Sequence, residues 1–233
     1  MARPSNPMAR EALLEAARAE FARAGLERAR IEDIARRAAV SKGAFYIHFE
    51  SKEAAFREIL QRFLGALEEQ TRRSQEAEER FERDVGRPGT SASLEQLVEF
   101  DCRTDTELLE VLWRNRLILA ALDRAAGKAC LELVADFRRR LRRWVVDRIA
   151  LKQSAGWLRR DVDAEVAGDV IVGAYESYGR RMVDLHAKPD LAAWARAFLV
   201  LFYQGIFHPA ASEPGASRAA AMDDRPVIIG GAT

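Results

Sequence analysis

IEDIARRAAVSKGAFYIHF, residues Ile31 to Phe49, breaks into two short helices around a tight turn. Ile31, Ile34, Ala35 and Ala38 follow the i, i+3, i+4, i+7 spacing of one buried helix face. After Ala39 and Val40 comes Ser41, whose hydroxyl can accept an orphan backbone N–H and so start a second helix. That helix is predicted to bury Val40, Phe45 and Phe49. Lys42, Gly43, Tyr46 and His48 are left on its other faces. A small supporting helix followed by a short helix with small, cationic and aromatic outer residues has the form of a helix-turn-helix.

The residues support a closer comparison. The stretch resembles the DNA-binding domain of the TetR family of transcriptional regulators. The family pattern runs roughly Thr-x-x-x-Ile-Ala-x-x-Ala-Gly-Val-Ser-x-Gly-x-x-Tyr-x-His-Phe-x-x-Lys. In this chain it reads Arg30, Ile34-Ala35, Ala38-Ala39-Val40-Ser41, Gly43, Tyr46, His48-Phe49 and Lys52. The resemblance covers about the first quarter of the chain. It implies that Ser41, Lys42, Gly43, Tyr46, His48 and Lys52 lie at a DNA surface.

Each of these residues has a physical reason to be there. Gly43 lets the backbone approach the duplex. Lys42 and Lys52 are point charges for phosphates. Tyr46 and His48 can donate to phosphate oxygens, and Tyr46 can touch a thymine methyl. Arg36 and Arg37 are either further phosphate contacts or a solvated helix face.

Two departures from the pattern affect local geometry. Arg30 stands where the family usually has Thr, and it has no acceptor with which to cap the helix that starts at Ile31. Its guanidinium is free to meet a phosphate instead. Ala39 stands where the family usually has Gly. If the turn needs a left-handed residue, Ala costs on the order of 1–2 kcal/mol more than Gly.

Charge adds a weak local signal. The whole chain is nearly neutral, at +1. From Met1 to Lys52 there are ten Lys and Arg against seven acids. That modest excess suits a segment that touches phosphates, and a dimer would double it. No charged-then-apolar leader opens the sequence. The longest strongly apolar run, Phe198 to Tyr203, is far too short to span a bilayer. Cys102 and Cys130 stand alone, as expected of a cytoplasmic protein. No partner in a membrane is expected.

Proline placement predicts an all-α chain, because Pro88 is the only proline between Pro7 and Pro189 and no alternating β-branched run occurs. The first helix is predicted to start at Asn6-Pro7 and end at Gly25. After the helix-turn-helix, Ser51 caps a long fourth helix. It buries Phe56, Ile59, Leu60, Phe63, Leu64 and Leu67, and a charge-rich, solvated segment from Glu68 to Arg83 follows. Gly86 to Ser93 reads as a loop. Further helices are expected over Leu94 to Cys102, Leu108 to Leu122, Lys128 to Gln153 and Asp163 to Leu185. A last one is opened by Pro189 and ends near Phe207. Pro209 to Thr233 reads as a disordered tail, unless Val227-Ile228-Ile229 docks somewhere. The expected organisation is a DNA-binding head over residues 1–51, a larger helical body over 52–208, and the tail over 209–233.

Two constellations in the body suggest function. Val166, Val170 and Ala174 on one helix, with Trp194, Phe198 and Leu201 on the last, form apolar stripes that suit pairing with a second copy; intrachain core explains them as well. The resemblance also implies a ligand in the body. Trp113, Phe137, Trp144 and Tyr175 are the aromatics that could wall a cavity, and Arg114 and Asn115 the polar groups that could orient an occupant. Taken singly, most of these residues suit core or surface equally well. The run Arg138-Arg139-Arg140 with Arg142-Arg143 reads as a solvated face or a site for something anionic.

No Gly-rich phosphate loop, metal-ligand spacing or nucleophile elbow occurs, and the three histidines are dispersed. No catalytic residue, metal or cofactor is expected. The reading is of a homodimeric regulator, a repressor released from palindromic operator DNA by a small, mainly apolar effector. The alternative is a helical interaction module or a constitutive DNA binder without an effector.

Overall fold

The computed structural model describes residues 7–85, 93–123, 128–154 and 158–206. Their regular structure is helical, as the proline pattern predicts. In order, the elements are α1 (Pro7–Arg28), α2 (Ile31–Arg37), α3 (Lys42–His48), α4 (Lys52–Val85), α5 (Leu94–Arg114), α6 (Arg116–Asp123), α7 (Lys128–Ser154), α8 (Ala164–Val183) and α9 (Leu191–Ile206). The expected features at Asn6, in the loop 86–92 and in the tail 209–233 lie outside the described residues.

The described residues gather into two compact units. The first is drawn from Met1–Arg73, Glu107–Arg139 and Tyr175–Pro189, and the second from Ser74–Thr106, Arg140–Ala174 and Asp190–Thr233. In the first, Leu13, Leu14, Ala17 and Phe21 of α1 are buried with Ile34 and Ala35 of α2, Phe45 of α3, and Phe56, Ile59 and Leu60 of α4. Phe21 meets Phe56 edge to face at 5.4 Å. Helix α1 also packs on α6, where Ile118 and Ala121 are buried. Two fork-to-carboxylate pairs fasten α1 to α4: Arg10 with Glu58, and Arg62 with Glu11 at 2.8 Å on both arms. The backbone of α1 leaves helical geometry at Gly25 (φ 76°, ψ 161°), a conformation glycine adopts without a Cβ penalty. The predicted end is therefore a kink, after which one more turn follows.

In the second unit, Leu97, Val98 and Phe100 of α5, Val145 and Ile149 of α7, Ala167 and Val172 of α8, and Leu191, Ala195, Leu199 and Tyr203 of α9 form the core. Phe81 of α4 stacks on Phe100 at 4.6 Å. A Cβ at Gly168 would lie 2.6 Å from Val146 Cγ2, so α8 approaches α7 closely there. Asp163 and Asp190 cap α8 and α9, accepting from the backbone N–H groups of Glu165 (2.7 Å) and Ala193 (2.9 Å) respectively.

Three expectations change. The later part of α4 is not uniformly solvated: Gln70 and Glu78 are buried. Gln70 donates to Glu107 at 2.9 Å, and Glu78 takes Arg148 and Lys152 of α7 at 2.7 Å each. A carboxylate of that kind looks polar in a periodicity plot whichever way it points.

The gap expected after Cys102 is absent, and α5 continues through it. Thr104 and Thr106 return their hydroxyls to the carbonyls of Asp101 and Cys102, so these polar side chains are satisfied within the helix itself. The break falls at Asn115 instead. Its side-chain amide donates to the Val111 carbonyl at 2.8 Å, while its own carbonyl accepts from Ile118 N–H at 2.9 Å and starts α6. Val40, expected in the core, is only half-buried.

Candidate nucleic-acid interface

The turn between α2 and α3 is built by local chemistry. Ala39 has φ 55°, the left-handed region. Its N–H donates to the Arg36 carbonyl at 3.1 Å, and the Val40 N–H to the Ala35 carbonyl at 3.0 Å. Those two bonds are the Schellman arrangement that closes a helix C-terminus. The turn does need a left-handed residue, and Ala supplies it against its own preference. At the other end of α2, Arg30 occupies the cap position with no side-chain cap bond, as its lack of an acceptor requires.

Ser41 then opens α3, its Oγ accepting from Ala44 N–H at 3.1 Å. Phe45 has no exposed surface, and Phe49 is buried 5.5 Å away between ring centroids. This anchors the phase of the helix. Ser41, Lys42, Gly43, Tyr46 and Ile47 face outward, with Tyr46 50% and Ile47 57% exposed. His48 is half-buried, its ring 6.4 Å from that of Phe49. A Cβ placed on Gly43 would meet only Ser41 Oγ, at 3.8 Å. Nothing within the chain therefore demands glycine at that position.

The cations differ in what holds them. Lys42 Nζ lies 2.6 Å from Glu32 Oε1. That hydrogen bond and charge hold the lysine above, and the carboxyl below, their ordinary pKa values. Lys52 Nζ donates to the backbone carbonyls of Glu27 (2.6 Å) and Ala29 (3.1 Å), so it closes the end of α1 in addition to any contact outside the chain. Arg36 pairs with Asp33, and Arg23 with Glu20 at 2.6 Å. These four residues and Arg37 line a depression of about 360 Å³ beside α2.

Sequence reasoning missed Ile47 and Glu32. Ile47 was legible from the phase: once Phe45 and Phe49 point inward, residue 47 points out. Glu32 had no such signal, because its partner lies ten residues away across the turn.

The body residues singled out from sequence fall in separate places. Trp113, Arg114, Asn115, Phe137 and Tyr175 belong to the first unit and Trp144 to the second. Trp113 is half-buried beneath the Arg116 guanidinium, 4.1 Å from the ring centroid. Arg114 lies at the surface, 3.9 Å from Glu110. Asn115 uses one amide hydrogen on the α5–α6 break. Phe137 is half-buried, and Tyr175 is half-buried with its ring edge-on to Tyr178 at 6.2 Å. The indole Nε1 of Trp144 is buried and has no hydrogen-bond partner among the described residues. Of the apolar stripes, Val166, Val170 and Leu201 are exposed, at 58%, 54% and 73%. Ala174, Trp194 and Phe198 are half-buried.

The profile of the bacterial regulatory proteins of the tetR family matches residues 13–59, the span that holds α2, the left-handed turn and α3. Residues 13–59 are therefore similar to the DNA-binding domain of that family. The proteins that this family model describes are bacterial regulators.

Solved structures share its fold across most of their length. The fatty acid degradation regulator FadR of Bacillus halodurans is 15% identical, with a TM-score of 0.60 over 87% of this chain and 98% of that one. The ketosteroid transcriptional regulator KstR2 of Mycobacterium tuberculosis is 21% identical, with a TM-score of 0.60 over 85% and 95%. NalD of Pseudomonas aeruginosa, the secondary repressor of the MexAB-OprM multidrug efflux pump, is 20% identical, with a TM-score of 0.59 over 88% and 100%. At these identities the likeness establishes the fold alone. No curated protein matches the chain in sequence. No helix among the described residues is long and apolar enough to cross a membrane.

Proposed function

We propose that this TetR-family chain is a cytoplasmic repressor that binds a two-fold-symmetric operator as a homodimer and is released from it by a small, mainly apolar effector. Residues 1–51 read the DNA, and residues 52–208 bind the effector and pair with the second copy.

The observation that carries the DNA reading is Gly43. It is exposed on a short helix with room for a side chain, so its smallness serves a surface that arrives from outside. Tyr46, Ile47, Lys42 and Ser41 surround it with groups suited to phosphate oxygens, thymine methyls and base edges. The dimer reading rests on Val166, Val170 and Leu201, apolar side chains left exposed on α8 and α9. Two readers on a palindrome must sit one helical turn apart, about 34–36 Å, and a dimer provides that spacing.

The effector reading rests on the buried, unpartnered donor at Trp144 Nε1. Such a group is costly unless something accepts from it. The names of similar regulators, a fatty acid degradation regulator and a ketosteroid regulator, fit an apolar ligand with a few polar atoms.

A gel shift with the DNA upstream of the chain's own coding sequence, at two salt concentrations, tests the first part. Wild-type protein should bind, and binding should weaken steeply with salt. Tyr46→Ala should lose specific binding while staying folded. Leu201→Glu should sediment as a monomer, and a dimer that survives would move the interface elsewhere. An effector should lower operator affinity with a coupling of roughly 1–3 kcal/mol. If no apolar compound does so, a constitutive binder is the better description.

A further inference from the structure

The ion pair between Lys42 and Glu32 joins the first turn of α3 to the first turn of α2. Both side chains are about half exposed, at 53% and 55%. The pair is not needed to hold the helices together, because Ile34, Ala35 and Phe45 already fix α2 and α3 in the core, and exposed pairs add little to stability. Yet a carboxylate on a surface that meets a polyanion is repelled unless it accepts a hydrogen bond there.

The major groove offers such donors only on base edges, at cytosine N4 and adenine N6. In a C·G pair the cytosine amino group and guanine O6 are Watson–Crick partners, so a donor and an acceptor lie side by side, about 2.9 Å apart. Guanine N7 adds a second acceptor next to O6. Glu32 Oε1 and Lys42 Nζ present the complementary acceptor and donor 2.6 Å apart. An A·T pair also sets a donor beside an acceptor, but thymine O4 is flanked by a methyl group where guanine has N7, so an ammonium with three hydrogens gains less there.

We propose that Glu32 and Lys42 act as one unit that reads a single C·G base pair in each half-site. Lys42 donates to guanine O6 and N7, and Glu32 accepts from cytosine N4. The inference rests on the reading of α3 as the helix that enters the major groove.

The test is selection of bound duplexes from a randomised pool by the full-length wild type, Glu32→Gln and Lys42→Ala. Thermal melts should show all three folded, since the pair is exposed. Wild type should enrich one C·G position per half-site. Each variant should relax that position by roughly tenfold and leave the others as they were. Lys42→Ala should also leave the slope of log affinity against log salt unchanged.

A slope shallower by about 0.9 would place Lys42 on a phosphate and overturn the proposal. So would an unchanged base preference in Glu32→Gln, which would reduce Glu32 to a neutralising partner. A wild type without any sequence preference would overturn the DNA-reading role itself, and this inference with it.

Discussion

Lys152 Nζ and Arg148 Nη2 both lie 2.7 Å from the same oxygen, Oε1 of Glu78, within the second unit. The Glu78 and Lys152 side chains are only 11% and 15% exposed. Arg148 also reaches Glu82 at 2.7 Å, and nearby the Tyr203 hydroxyl donates to Asp101. Burial alone would push the Glu78 carboxyl up; Lys152 and Arg148 outweigh it, and the net shift is downward. Burial likewise opposes the Lys152 charge, but Tyr203, Asp101 and Glu78 overcome it and hold the ammonium protonated.

Removing one member should therefore cost far more than the pair contributes as a whole. Glu78→Ala leaves Lys152 without its closest anion and should destabilise the fold by roughly 3 kcal/mol. Glu78→Leu combined with Lys152→Leu should recover most of that loss. Urea unfolding of the two variants measures the difference. Equal stability for wild type and Glu78→Ala would mean that water, not Glu78, solvates the lysine.

The same cluster sets a pH signature. The folded pKa of Glu78 lies below its ordinary 4.5, so its contribution is present above that value and disappears as pH falls through the folded one. The penalty of Glu78→Gln should accordingly shrink on acidification below about pH 4.5. Asp101 runs the other way. Burial, against the charge of Lys152 and the Tyr203 hydrogen bond, lifts its folded pKa above 3.8. Its contribution is complete below that value and is lost as pH rises through the folded one. Asp101→Asn should thus improve relative to wild type as pH climbs. Melting temperatures across the acid range check both slopes, which should have opposite sign.

Ala39, at φ 55°, occupies the left-handed position that ends α2. Glycine has no Cβ penalty there, worth about 1–2 kcal/mol, though its freer unfolded chain takes part of the gain back. Ala39→Gly should stabilise the protein by about 1 kcal/mol and leave base preferences intact. A chemical denaturation midpoint at or below that of wild type would show that the turn does not hold Ala39 under strain.

Gly43 gives the opposite separation of stability from binding. The site has room for a methyl group, and alanine favours helix over glycine by up to about 1 kcal/mol. Gly43→Ala should melt no lower than wild type. It should nonetheless bind operator DNA at least roughly tenfold more weakly, because the methyl group occupies the space where the backbone meets the duplex. Wild-type affinity in this variant would remove Gly43 from the interface.

Much of the molecule was legible in the order of its residues. The helices, the Ser41 cap, the missing cap at Arg30 and the strained turn at Ala39 depend on neighbours within about five positions, and sequence spacing reports such neighbours directly. The outward face of α3 followed from the phase of Phe45 and Phe49. What the order could not supply were partners brought from a distance. Glu78 meets Lys152 across 74 positions, so a charged residue on a helix that looked solvated became a buried anion. Lys52, read as free for phosphate, spends its hydrogens on carbonyls 23 and 25 positions earlier. Glu32 finds Lys42 only when the turn brings α2 and α3 together. Periodicity records which face of a helix is apolar; which carboxylate answers which cation is decided by packing, because the charges pair only after the apolar faces have set the helices against one another.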